Sequence, residues 1–320
     1  MKKQQMMRVL ALAMMIVVLA VGNLAMTACQ AEDSTTAQGV PVSAWGNNFF
    51  GQLGNETYDA SSNTPVEVSN LDGAEVKALA GGQGHSLALR SDGTVWAWGL
   101  NQDGRLGDGT NTDSSTPVQV KDPNEPTGYL SGVTAIAAGG SHNLALKDDG
   151  TVWAWGSNTG GQEQKISGQL GNDTYASSNT PVKVSDLGGV EAISAGGSYS
   201  LALKDDGTVW AWGNNEFGQL GDGTNTDSST PVQVSDLDGV KGIAAGGAHS
   251  LALKDDGTAW AWGANPYGQL GNGTNTLVPD MSERGQGNGT NTVGINTPEQ
   301  VSDLGEVTLV AAGDDHSLGA

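Results

Sequence analysis

Residues 201–213, Leu-Ala-Leu-Lys-Asp-Asp-Gly-Thr-Val-Trp-Ala-Trp-Gly, alternate apolar positions with small or polar ones on either side of Asp-Gly. A period of two marks strands, and Asp-Gly supplies the positive φ that a tight turn demands, so the segment predicts a β-hairpin. Thr230-Pro-Val-Gln-Val234 and Val240-Lys-Gly-Ile-Ala-Ala245 follow the same short-strand pattern and are separated by Ser-Asp-Leu-Asp-Gly turn chemistry. Four short strands make one small sheet.

The pattern repeats. Ala-Trp-Gly begins at Ala44, Ala97, Ala154, Ala211 and Ala261, at spacings of 53, 57, 57 and 50 residues. Thr-Pro recurs at Thr64, Thr116, Thr180, Thr230 and Thr297, and a Leu-Ala-Leu block at residues 87–89, 144–146, 201–203 and 251–253, with a final His316-Ser-Leu-Gly-Ala320. About five copies of a sheet too small to bury its own faces predict radial packing around an axis, with each sheet covering the next. Glycine pairs at Gly81, Gly139, Gly196 and Gly246 mark places where backbones approach too closely for a Cβ.

The repeat Gly-Gly-x-His-Ser-Leu-Ala-Leu-Lys-Asp-Asp-Gly-Thr-Val-Trp-Ala-Trp-Gly-x-Asn-x-x-Gly-Gln-Leu-Gly-Asp-Gly-Thr resembles the RCC1 repeat, the unit of the regulator-of-chromosome-condensation β-propellers, over about residues 42–318. It is most similar to secreted bacterial members, a group that includes a β-lactamase inhibitory protein. The resemblance implies an all-β propeller of four-stranded blades that binds another protein. It also leaves open enzyme inhibition or an activity like that of a guanine-nucleotide exchange factor. Family propellers generally have seven blades, whereas five repeats stand here. The first repeat begins on a final strand, Val42–Gly46, and the last stops on the preceding strand, His316–Ala320, so the two ends are complementary halves of one hairpin. Either the two ends pair and close a five-bladed ring, or the blades form an open arc with exposed sheet edges.

Residues 1–28 read as an export signal. Lys2, Lys3 and Arg8 precede an apolar run from Val9 to Val21, and small residues lead to Cys29. Small residues before a cysteine resemble the lipobox of bacterial lipoproteins, with Met26 where Leu is usual. That resemblance implies lipidation of Cys29 and an extracytoplasmic location on the cell envelope. The Ser-, Thr-, Ala- and Asp-rich stretch that follows reads as a flexible tether over 29–40, and the repeats place the propeller over 41–320.

Net charge is −21, and because residues 1–28 hold three cations and no acids, residues 29–320 carry 11 cations against 35 acids. Such a surface repels phosphate backbones, which excludes nucleic acid as the expected partner and favours a basic protein patch or a neutral ligand. Cys29 is the only cysteine, so disulfides within the chain and thiolate metal clusters are excluded.

No catalytic, cofactor or metal site is expected. His85, His142, His249 and His316 share one repeat position that Tyr199 fills in the third unit, which points to a structural role. The Asp-Asp-Gly clusters lack the ligand spacing of a calcium loop. The Trp pairs 96/98, 153/155, 210/212 and 260/262, with Trp45 alone in the first unit, read as inter-sheet packing.

Partner-binding candidates come from the loop after Trp-Gly, where the repeat varies. Phe49 and Phe50, Asp103, Ser167, Phe217 and Tyr267 occupy corresponding places, and variable loops on a rigid scaffold carry recognition. Insertions at 123–129, 160–167 and 277–295 vary the connections further. Protein binding through Phe49, Phe50, Asp103, Phe217 and Tyr267 is the leading expectation. Cell-wall glycan binding, motivated by loop Trp and Asn, is the alternative.

Overall fold

The computed structural model describes residues 41–71, 74–122, 124, 128–159, 167–275 and 294–320. Four four-stranded antiparallel sheets lie between two two-stranded ones. The first sheet pairs β1 (Ser43–Asn47) with β2 (Ser61–Glu67). Blade 1 follows with β3 (Val76–Gly81), β4 (His85–Arg90), β5 (Val95–Gly99) and β6 (Ser114–Gln119). Blade 2 holds β7 (Val133–Ala138), β8 (His142–Lys147), β9 (Val152–Gly156) and β10 (Ser178–Lys183). Blade 3 holds β11 (Val190–Ala195), β12 (Tyr199–Lys204), β13 (Val209–Gly213) and β14 (Ser228–Gln233). Blade 4 holds β15 (Val240–Ala245), β16 (His249–Lys254), β17 (Ala259–Ala264) and β18 (Gly294–Gln300), and the last sheet pairs β19 (Val310–Ala312) with β20 (Ser317–Gly319).

The expected hairpin forms in the expected register. Leu201 faces Ala211 and Ala202 faces Trp210 across β12 and β13, with Gly207 at φ 76° in the turn. Alternation then sorts side chains to two faces. Leu201, Leu203, Val209 and Ala211 pack forward onto Val240, Ile243, Ala252 and Trp262 of the following blade. The same forward-onto-backward packing recurs at the other joints. Trp155, Trp212 and Trp262 are fully buried, and the outer Trp96, Trp210 and Trp260 pack on the same clusters as Trp98, Trp212 and Trp262. A buried indole removes on the order of 200 Å² from water, or about 5 kcal/mol. Each sheet thus depends on its neighbour for its largest apolar gain.

The first strands of adjacent blades touch each other, which puts them innermost. There backbone meets backbone: Gly140 N donates to Gly196 O at 3.2 Å, and Gly247 N to Asp314 O at 3.1 Å. A Cβ on Gly139 would stand 2.5 Å from Gly196 O, and one on Gly246 would stand 2.6 Å from Gly313 O. In the first unit this role belongs to Gly82, whose Cβ would meet Gly139 O at 2.7 Å, rather than to Gly81. Gly82 stands three residues before His85 as Gly139 stands three before His142, while Gly81 takes the place of Ala138.

β1 and β20 do not pair. They lie in separate two-stranded sheets, and among the described residues no strand pairing closes the ring. Trp45, in the position of the buried Trp212, is 51% exposed, and Leu318, in the position of Leu201, is 62% exposed. Both point toward the side on which no described sheet covers them.

Candidate functional site

In an antiparallel blade the connections between strands one and two and between strands three and four fall at one edge. The connections from two to three and from four to the next blade fall at the other. We call these the loop edge and the turn edge.

At the loop edge a buried asparagine two residues past Trp-Gly shapes each long loop. Asn215 Oδ1 accepts from Leu220 N at 2.9 Å, while its amide donates to Thr224 O at 3.1 Å, Thr226 O at 3.2 Å and Asp222 Oδ1 at 3.2 Å. Asn48, Asn101, Asn158 and Asn265 hold their loops in the same manner. These asparagines recur in the repeat itself, and that recurrence at a fixed distance from a tight Gly-Gln-Leu-Gly turn is the signal by which they are found. The turn glycine seats the loop on the next blade: Gly218, at φ 77°, has room for no Cβ because Asn296 Cα would lie 2.5 Å away.

The glutamine of Gly-Gln-Leu-Gly then fixes the variable residue. Gln52 Oε1 accepts from Phe50 N at 2.9 Å, Gln219 Oε1 from Phe217 N at 2.9 Å and Gln269 Oε1 from Tyr267 N at 3.0 Å. In the second unit Arg105 replaces that glutamine, and Asp103 stands at φ 61° without the clamp. Ser167, in the third unit, is buried and hydrogen-bonded to Gln169 through its hydroxyl.

The candidates therefore separate. Phe49 is 66% exposed and Phe50 37%, with ring centroids 6.3 Å apart at 60°. Tyr58, which the sequence reading passed over, stands exposed in the same loop and donates to Asp113 O of the next blade at 3.3 Å. Tyr175 occupies the corresponding place in the third unit and is also exposed. Phe217 is half-buried because β18 begins against its backbone, and Asp103 is half-buried as well. Tyr267 is 74% exposed where the following sheet has no described fourth strand beside it. Cys29 and most of the three insertions lie outside the described residues.

The histidines join blades. His142 Nε2 meets Ser200 Oγ at 2.9 Å, and Ser200 Oγ donates to Gln169 O at 3.0 Å. The serine proton is thereby used, so Nε2 carries the imidazole proton. His85 with Asn143 and His249 with Ser317 repeat the arrangement. Burial pushes His85 down to about 4, His142 to about 3 and His249 to about 4, so all three are neutral near pH 7. Tyr199 donates instead to His249 O, and burial pushes its phenol up. The same loop carbonyls that take the serines also take indoles: Trp212 Nε1 donates to Gln169 O at 2.9 Å and Trp262 Nε1 to Gln219 O at 2.9 Å. Among the described residues no three His, Cys, Asp or Glu side chains converge as metal ligands.

The turn edge is uniform. Asp206 Oδ1 accepts from Thr208 N at 3.0 Å and from its hydroxyl, and Thr208 Oγ1 accepts from Trp210 Nε1 at 3.2 Å. Those hydrogen bonds hold Asp206 below the usual carboxylate range. A cation covers each outer indole: Arg90 over Trp96 at 5.3 Å, Lys147 over Trp153 at 5.4 Å, Lys204 over Trp210 at 5.6 Å and Lys254 over Trp260 at 5.5 Å.

A family model described as the RCC1-like domain matches residues 3–320, and the chain belongs to that family. Among solved structures it is similar to Prp20p from Saccharomyces cerevisiae, with a TM-score of 0.72 and 28% identity over 89% of this chain and 64% of that one. It is likewise similar to human WBSCR16, with a TM-score of 0.71 and 27% identity over 89% of this chain and 67% of that one. Curated relatives include the human probable E3 ubiquitin-protein ligase HERC6, 36% identical over 179 residues, and the Arabidopsis thaliana ultraviolet-B receptor UVR8, 33% identical over 178. Each match covers 54% of this chain but only 16% and 37% of the relative.

Proposed function

We propose that this RCC1-like domain is a non-catalytic protein-binding module, held at a bacterial cell envelope by lipid on Cys29, that captures its partner with the loop edge. The observation that carries the binding surface is the exposed aromatic group Phe49, Phe50 and Tyr58, presented by a loop whose backbone is fixed from within by Asn48. Exposed aromatics on a pre-shaped loop lose little entropy on docking, and such side chains dominate interfaces. Support for a polypeptide partner comes from Prp20p, the yeast RCC1, which is described with its binding to Gsp1p and histones and was also solved bound to Kap60. Support for export and anchoring comes from the basic-then-apolar leader and its small residues before Cys29.

Alanine at Phe49, Phe50 and Tyr58 together, with capture of native envelope partners as readout, tests the surface; unchanged capture overturns it. Cys29→Ser tests the anchor. Release of the protein from membranes is expected, and retention in the membrane fraction contradicts lipidation.

A further inference from the structure

We infer that the loop spanning residues 47–60 docks an arginine- or lysine-rich polypeptide segment, a partner class that deepens the protein-binding reading and rests on it. The argument begins with where the chain keeps its own cations. Arg90, Lys147, Lys204 and Lys254 end second strands at the turn edge, each over an outer indole. Lys77 and Lys241 begin first strands there and Lys183 closes a fourth strand there, whereas Lys121 follows β6 and brings its ammonium beside Gly109 of the β5–β6 loop. At the loop edge Arg105 is buried, with Nε donating to Gln102 O at 3.1 Å.

The loop edge carries acids and aromatics without that complement. Glu56 and Asp59 are exposed within the same loop as Phe49, Phe50 and Tyr58. Glu56 is held at φ 68°, its N–H donating to Ser115 O at 2.9 Å, so the carboxylate is presented from a fixed backbone. Asp173 and Tyr175 repeat the acid–aromatic pair in the third unit. At the turn edge every outer indole is already paired with a cation of the same chain; at the loop edge the exposed Phe49, Phe50 and Tyr58 share one loop with the exposed Glu56 and Asp59. A guanidinium stacked on Phe49 or Phe50 while reaching Glu56 or Asp59 satisfies both, since cations bind ring faces and carboxylates jointly. The excess of acids over residues 29–320 adds long-range attraction for such a segment.

The test uses the full-length protein in neutral detergent and a fluorescein-labelled peptide of alternating Arg and Ser, with alternating Lys-Ser and Glu-Ser peptides as comparators, read by anisotropy. The Arg-Ser peptide should bind at least about tenfold more tightly than Glu-Ser and weaken as salt rises. Glu56→Gln with Asp59→Asn should weaken it about tenfold, whereas Asp149→Asn with Asp206→Asn at the turn edge should leave it within about twofold. No preference for the cationic peptides, or equal loss from the turn-edge pair, overturns the inference. Phe49→Ser with Phe50→Ser separates the two readings. If this pair abolishes capture of native partners while cationic peptides do not bind, the surface stands and the partner class falls. If capture also survives, the binding surface falls with it.

Discussion

The two edges of the blades are made from the same repeat yet treat their polar groups in opposite ways. At the turn edge Asp-Gly, Thr, the outer Trp and a Lys or Arg recur with little change, and each group is used by another: carboxylate by threonine, threonine by indole, indole by cation. At the loop edge an internal layer is equally regular, but the residue it holds outward changes from unit to unit. Regularity where groups satisfy one another, and variation where they face outward, is the division expected between scaffold and recognition surface.

Removing the internal layer of the loop edge should have the largest effect. Asn215→Ala strands Leu220 N and several loop carbonyls in a buried site and should cost about 3 kcal/mol in urea unfolding, whereas Asp206→Ala at the solvent-exposed turn should change stability far less. Comparable losses at both sites would erase the distinction between a built-in clamp and a surface turn.

Acid should separate the edges next. The buried histidines keep folded pKa values of about 3 to 4 against an ordinary 6.5, so between those limits the unfolded chain takes up protons that the folded chain does not. Stability is therefore complete above about pH 6.5 and falls toward pH 4, at roughly 1.4 kcal/mol per pH unit for each histidine. The turn-edge Asp149 and Asp206 are held low by Thr151 and Thr208, so their contribution is present above the usual carboxylate pKa and is lost only as pH drops below it. His142→Gln, which keeps a donor for Ser200, should flatten the pH 4–6.5 limb of an unfolding profile by one histidine's share while leaving the lower limb in place. An unaltered upper limb would show that the histidines do not govern it.

Smaller effects follow at the surface. Lys204→Ala should cost about 0.5 kcal/mol through its lost contact with Trp210, measurable as a slight shift of the thermal midpoint. Tyr267→Ser should change stability by less than about 0.5 kcal/mol, because the ring is mostly exposed. A larger loss there would show that the ring packs in solution.

Strand identity was legible because Leu-Ala-Leu, Asp-Gly and Val-Trp-Ala-Trp fix both period and turn, and Val240–Ala245 forms the strand expected of it. The direction of the tryptophans was legible for the same reason. Local pattern does not show which neighbour covers a residue. Phe217 and Tyr267 occupy one repeat position, yet β18 half-buries the first while no described strand covers the second. Pairing of β1 with β20 was one of two arrangements the sequence allowed, and strand register alone does not choose between them. The gathering of most cations at the turn edge was likewise hidden, because lysines spread along a sequence collect at one edge only after the meander is folded.

Site-specific photocrosslinking tests the central claim, that the loop edge is the face that meets the partner, most directly. Benzoylphenylalanine is placed singly at Phe49 and Tyr175 on the loop edge and at Asp149 and Asp206 on the turn edge of the protein expressed in its native cells. Adducts of one discrete mass from the loop-edge positions, and none from the turn edge, are the result this account predicts; adducts from the turn edge alone, or equally from both, would contradict it.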